Sequence, residues 1–292
     1  MFNNLLSKKS HYEKLSAKRP CNSRCGYYCI ACLTAIGTLC TLINYIAGMN
    51  QLLEEVFSTM KFKTRTGEVV EIVAETPKEQ CEFLQTIIEE NNFKNSLEVG
   101  FAFGLSAVAI CESVAKFGGK HTVFDPEEEK FWGGHGIDLV EQAGYKDILD
   151  FRDLPSAIGL AKLLSEGEGK FDFAYVDTVK HFDAIVVDLY FISKLLRVGG
   201  VVVFDDVFFP GIRKAMRFAA QLPFLKVYDS HPKSQNIPQR RLAKILNNYS
   251  RTALLIKEEH KQTDSELGID TQCLALQKIA EDTRDWDWHK PF

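Results

Sequence analysis

Five short apolar runs separated by helix-like segments constrain this chain more than any other feature. They are SLEVG (96–100), HTVFD (121–125), DILDF (147–151), FDFAYVD (171–177) and GGVVVFDD (199–206). Between them, near 104–117, 134–143, 156–166 and 183–196, apolar residues recur at helical spacing. Strands that alternate with helices predict an α/β fold, a doubly wound and mostly parallel sheet with helices on both faces. Ahead of it, TPKEQCEFLQTIIEENN (76–92) predicts a helix opened by Thr76 and Pro77, with Cys81, Leu84, Ile87 and Ile88 along one face. FLKVYD (224–229) and TALLIK (252–257) read as closing strands joined by a polar insertion, 230–250. The tail DWDWHKPF carries two of the three tryptophans and is expected to pack back on the domain.

At 292 residues the chain suits one core domain with appendages, and 46% hydrophobic residues are enough for a sizeable core. A net charge of −4 gives no basis for nucleic-acid binding. The N-terminus differs: Lys8, Lys9, Lys14, Lys18, Arg19 and Arg24 make it basic, and residues 26–48 then carry no charge. That run has the length of a membrane span or anchor, diluted by Asn44 and several Thr and Tyr residues. A buried or oligomer-forming helical arm is the stronger expectation, and a homodimer stays open. Residues 1–60 are therefore separated, as an arm with a membrane contact left open, from a domain at 61–292. Eight cysteines, five of them between Cys21 and Cys40, read as reduced thiols of a cytosolic protein. The spacing of Cys25, Cys29 and Cys32 matches an iron–sulfur ligand set but lacks its setting, and packing as small apolar residues explains it better.

Ligands of open parallel sheets bind at the carboxyl ends of the strands. There stand Glu98, Gly100, Ala102, Gly104 and Ser106 after the first run, Asp125 after the second, Asp177 after the fourth, and Asp205 and Asp206 after the fifth. Aspartate is common at turns and caps, but four acidic strand ends out of five exceed that explanation. The glycine loop separates two cofactors. A dinucleotide loop needs small residues at the positions of Gly100, Ala102 and Leu105, and the leucine breaks it. The spacing acidic-x-Gly-x-x-x-Gly, met by Glu98, Gly100 and Gly104, suits S-adenosylmethionine (SAM), with Asp125 placed for its ribose hydroxyls.

With those residues in place, the stretch from Thr76 to Lys257 resembles a class I SAM-dependent methyltransferase. It is most similar to the divalent-metal O-methyltransferases of the catechol and caffeoyl-CoA type. TPKEQ..FL, LEVGFAFGLSAV, FDFAYVDTVK and GGVVVFDDVFFPG carry the likeness. The resemblance implies a Rossmann-like methyltransferase sheet with an antiparallel last strand. It implies that Asp177, Asp205 and Asp206 hold a divalent cation such as Mg²⁺, and that Lys180 is the general base; His181, adjacent to it, is a spare base candidate on its own chemistry, since imidazole tunes readily to working pH. It further implies that Glu98, Gly100, Ala102, Gly104, Ser106 and Asp125 hold SAM. Methyl transfer to a hydroxyl of a small-molecule acceptor follows. Two departures stand out: Asp206 occupies the family's asparagine position, and Val179 an often aromatic one. Phe208 and Phe209 belong either to the pocket mouth or to the core, and Trp132 either covers an adenine or packs. A metal-independent methyltransferase of a sugar or natural-product hydroxyl, an NAD(P)-dependent oxidoreductase and a non-catalytic scaffold stay open as alternatives.

Overall fold

The computed structural model describes residues 49–74, 76–167, 170–233 and 262–290. The expectations for the arm up to residue 48 and for TALLIK lie outside them, as does nearly all of the insertion. No helix among the described residues is long and apolar enough to cross a membrane.

Met49–Phe292 forms one compact unit. It opens with α1 (Gln51–Thr59) and a two-stranded antiparallel ribbon, β1 (Lys61–Lys63) and β2 (Val69–Glu71). Asn50 caps α1 by accepting from the amides of Leu52 and Leu53, while its own amide donates to Glu112. Leu53 and Val56 of α1 are buried with Phe62 in a core shared with residues 101–111. The compact unit thus takes in α1, which the expected boundary near residue 60 left with the arm.

Next come α2 (Lys78–Asn91), β3 (Asn95–Val99), α3 (Leu105–Ala115), β4 (Lys120–Phe124), α4 (His135–Gln142) and β5 (Leu149–Arg152). They are followed by α5 (Ser156–Glu166), β6 (Phe171–Val176), α6 (Phe182–Leu195), β7 (Leu196–Phe204) and α7 (Pro210–Ala219). The described residues close with β8 (Leu225–His231), α8 (Asp264–Leu267) and β9 (Cys273–Lys278). The large sheet runs β5-β4-β3-β6-β7-β9-β8, parallel from β5 to β7, with β9 antiparallel to both β7 and β8. All five runs that opened the sequence reading are strands. FLKVYD is β8, and its neighbour is CLALQK (273–278).

Both faces of the sheet are covered, which is why its strands read as continuous apolar runs. Side chains alternate along each strand. Leu97, Val99, Ala174, Val176, Val202 and Phe204 meet α5, α6 and α7 on one face. Phe173, Tyr175, Val201 and Val203 meet α2 and α3 on the other. Burial of each such aliphatic or phenyl group contributes roughly 1.5–3 kcal/mol. The tail is divided: Trp288 packs on this core under Arg284, whereas Trp286 is 97% exposed.

The direction of winding changes between β3 and β6, the switch point at which open sheets leave a crevice. Three backbone bonds extend the ladder one residue past the strands there. The amide of Gly100 donates to Phe124, that of Asp177 to Val99, and that of Asp205 to Val176, at 3.0, 2.9 and 3.0 Å. The glycine loop and the aspartates therefore stand in one row at the sheet edge.

Candidate active site

A cavity of about 420 Å³ opens over that row. Gly100, Ala102, Gly104 and Ser106 line one side, Asp177, Lys180, Asp205 and Asp206 the other, with Thr76, Gln80 and Gln272 among the remaining wall.

The loop after β3 is built by backbone constraints. Gly100 has φ +88°, and a Cβ placed on it would lie 1.9 Å from the carbonyl oxygen of Asp177. Only glycine fits both the conformation and the approach. Ala102 takes φ +46°, an uncommon state for a residue with a side chain, and Gly104 takes +72° as it starts α3. The carboxylate of Asp125 holds the loop, accepting from the amide of Phe101 at 2.8 Å and from that of Ala102 at 3.4 Å. Its second oxygen accepts from the amide of Glu127. Asp125 is buried and does not reach the cavity wall.

Glu98 is fully buried beneath the loop. One oxygen accepts from the Ser106 hydroxyl and the other pairs with Nε2 of His121 at 2.7 Å. Of the residues expected to touch the cofactor, Glu98 and Asp125 thus act on the loop, while the two glycines, Ala102 and Ser106 face the cavity.

The three aspartates at the strand ends lie close together. Asp177, Asp205 and Asp206 each present an oxygen within 4.8 Å of the others. Asp206 sits at φ +56°, a left-handed position that aspartate and asparagine tolerate better than most residues. Lys180 bridges the cluster, with Nζ 2.6 Å from Asp177 and 2.7 Å from Asp206. A Cβ on Gly211 would lie 2.6 Å from the Lys180 carbonyl, so the Pro-Gly at the start of α7 lets that helix seat the lysine's backbone. Burial, then the charge of Asp205, pushes the Asp177 carboxyl up to about 6. Burial pulls the Lys180 ammonium down, but Asp177 and Asp206 more than reverse this and leave it above the usual lysine value. His181 is exposed at the N-cap of α6, outside the cavity wall.

Sequence reasoning missed the residues that hold Asp205. Gln80, from the first turn of α2, donates to one of its oxygens at 2.7 Å, and Tyr175 donates to the same oxygen at 3.0 Å. Gln272 approaches from the start of β9 and donates to Asp205 at 3.0 Å and to Asp206 at 2.9 Å. The Cys273 thiol lies 3.1 Å from Asp205, and burial followed by that carboxylate raises its pKa. Gln80 stands within the quoted TPKEQ motif, the one signal that pointed to it.

All three carboxylates are hard oxygen donors, and one ammonium offsets three negative charges. That donor chemistry fits a divalent cation of the Mg²⁺ type. At the cavity's edge, Trp132 stands edge-on to Phe103 at 5.2 Å and is partly buried, so it packs on the loop and is not part of the cavity wall. Phe208 and Phe209 are 47% and 38% exposed, and their rings pair at 4.5 Å beside the Asp206 turn instead of entering the core.

Residues 49–219, more than half of the chain, match the O-methyltransferase family. The chain belongs to that family. Among curated relatives, caffeoyl-CoA O-methyltransferase 1 of Eucalyptus globulus is 29% identical over 137 residues, 47% of this chain and 54% of the relative. Tricin synthase 2 of Oryza sativa subsp. japonica is 31% identical over 138 residues, 47% of this chain and 46% of the relative. The chain thus spans about half the length of the curated relatives it matches. The O-methyltransferase from Bacillus cereus, solved with SAH, superposes with a TM-score of 0.51 at 19% identity, covering 66% of this chain and 89% of that one. The last comparison shows a shared fold: a mostly parallel sheet with one antiparallel strand interposed near its edge.

Proposed function

We propose that this member of the O-methyltransferase family transfers a methyl group from SAM to a hydroxyl of a small-molecule acceptor, with a divalent cation at Asp177, Asp205 and Asp206. One observation carries the reading: the loop Gly100–Gly104 and the three aspartates line the same cavity, with backbone contact between Gly100 and Asp177 fixing their separation. SAM supplies a methyl group on a sulfonium, and the cation when bound supplies the Lewis acidity that lowers the pKa of an acceptor hydroxyl.

The remaining work falls to the chain. Ala102, Gly104 and Ser106 hold the methyl donor against the acceptor, and such alignment is worth roughly 7–11 kcal/mol. The acceptor oxygen forms its bond to the methyl carbon, the sulfur keeps the electron pair of the broken bond, and the hydroxyl proton passes to Nζ of Lys180. Lys180 accepts that proton as the neutral amine, after its bridging ammonium has left Asp177 and Asp206 and given one proton to solvent. The caffeoyl-CoA O-methyltransferases among the relatives support a hydroxyl acceptor, and the exposed Val179, Phe208 and Phe209 offer an apolar rim for its carbon frame.

The Lys180 bridge itself favours a second reading, a metal-independent methyltransferase in which the ammonium serves as the cluster's only cation. Methyl transfer from labelled SAM to a panel of phenolic and sugar hydroxyls, with and without exhaustive chelation, separates the two. The first reading expects activity to disappear with chelator, to return with Mg²⁺ and to be lost in Asp177→Ala. Activity that survives both chelation and that substitution defeats the metal assignment.

A further inference from the structure

We propose that the C-terminal turn around Trp286 forms a second binding site, one that takes a neutral saccharide, on the sheet edge opposite the aspartate row. Among the described residues a second cavity of about 420 Å³ is lined by Lys194, Asp282, Arg284, Asp285, Trp286 and Trp288. Its volume lies within the range of small-molecule sites, roughly 300–1,000 Å³. Lys194 stands two residues before β7 begins, and Asp205 follows where β7 ends. Nine residues of strand at about 3.3 Å each put roughly 30 Å between the two cavities.

The turn is anchored on both sides. Before it, Lys278 is 1% exposed, donates to the Leu196 carbonyl at 3.0 Å and pairs with Glu281, and the Ile279 amide donates to Phe224. After it, Trp288 packs on the core, and its amide donates to the Asp285 carbonyl. Arg284 fills the rear wall. Its guanidinium lies over both the Phe224 and Trp288 rings, 5.1 and 4.8 Å from their centroids, and donates twice to Asp282. This framework holds Trp286 97% exposed beside the open cavity, while its neighbour Trp288 is packed. An indole kept in water by a fixed turn is a large apolar face ready for a ligand. Lys194, with Nζ 4.8 Å from the Tyr190 ring, and Asp285 supply one charge of each sign, and neither makes an ion pair among the described residues. Together with the Arg284–Asp282 pair, the wall sums to no net charge. A phosphate or an acidic peptide would meet Asp282 and Asp285, and an ammonium ligand would meet Lys194 and Arg284. A neutral sugar ring meets neither obstacle. Its hydroxyls accept from Lys194 and donate to Asp285, and the C–H face of the ring packs on the indole.

Titration of the full chain with saccharides, followed by NMR through the indole N–H signals of its three tryptophans, tests the proposal. The probes are the methyl glycosides of glucose, galactose, mannose and N-acetylglucosamine, with cellobiose and lactose to distinguish a free sugar from the end of a chain. At least one neutral probe should shift the signal that disappears in Trp286→Ala, and that variant should bind the probe at least about tenfold more weakly. Lys194→Met and Asp285→Ala should each lose about 2–10-fold, the worth of one hydrogen bond. Trp286→Ala should keep the wild-type unfolding midpoint, since the ring is almost wholly exposed. Saturating SAH should leave the sugar's affinity unchanged; competition between them would put the sugar in the other cavity and overturn the proposal. A Trp286 signal unmoved by every neutral probe up to about 50 mM overturns it as well. So does glucose 6-phosphate, glucosamine or free tryptophan binding at the same residues about tenfold more tightly than any neutral probe.

Discussion

Glu128 provides the sharpest quantitative expectation. It is 1% exposed, in the segment between β4 and α4, and one oxygen accepts from the amides of Gly136 and Ile137 at the start of that helix. The other oxygen has no partner among the described residues. Burial first, opposed by the two helix amides, pushes its pKa from 4.5 up to about 7. The unfolded chain releases this proton near 4.5, and the folded chain keeps it to about 7. Across that window the folded state binds more protons, so the stability from Glu128 is complete below 4.5, falls as pH rises, and is gone above 7. At 1.36 kcal/mol per pH unit, the loss is about 3 kcal/mol. Glu128→Gln keeps an oxygen for Gly136 and Ile137 and removes the titration. Unfolding midpoints followed from pH 4 to pH 8 should therefore converge in the variant's favour, with the gap changing by roughly 6–12 °C for a domain of this size. All other titrating groups are common to both proteins and cancel in the difference. Parallel curves, or a gap that moves the other way, would refute the argument that an unpartnered buried carboxylate sets this pH dependence.

Three further outcomes follow from the same geometry. Gly100→Ala should destabilise the fold by at least about 2 kcal/mol in denaturant titration and abolish SAH binding, because the left-handed backbone and the Asp177 carbonyl both oppose a methyl group; wild-type binding would show that the loop can move away. Gln272→Ala should weaken Mn²⁺ binding, read by electron paramagnetic resonance, by about 10–100-fold, and the loss should shrink in an Asp206→Asn background, since the amide holds both Asp205 and Asp206. Asp188, 1% exposed on α6 with only a loose approach to the Ser156 hydroxyl, is raised by burial to about 6. Its stabilising share is likewise lost as pH rises through 6, and Asp188→Leu should raise the unfolding midpoint at pH 8 by more than at pH 4.

The strands were legible because burial on both faces leaves a continuous apolar signature, and the cluster of Asp177, Lys180, Asp205 and Asp206 because strand ends of a parallel sheet share one edge. CLALQK was not. Its leucines, alanine, glutamine and lysine are good helix formers, and pairing with β7 and β8 overrides that preference. Gln80 and Gln272 were hidden for another reason: amides carry no spacing signature, and they reach Asp205 from 125 and 67 residues away in the chain.

The contact of Gly100 with the Asp177 carbonyl has a consequence for how such a protein can diversify. The span between the methyl donor's loop and the acidic cluster is set by two backbones in van der Waals contact, each tied into the sheet by its own amide bond. Val179, Phe208 and Phe209, the rim proposed above for an acceptor's carbon frame, stand outside that clamp on exposed turns. Mutation can therefore redraw the clientele of the cavity at its mouth while the reach of the transfer stays constant.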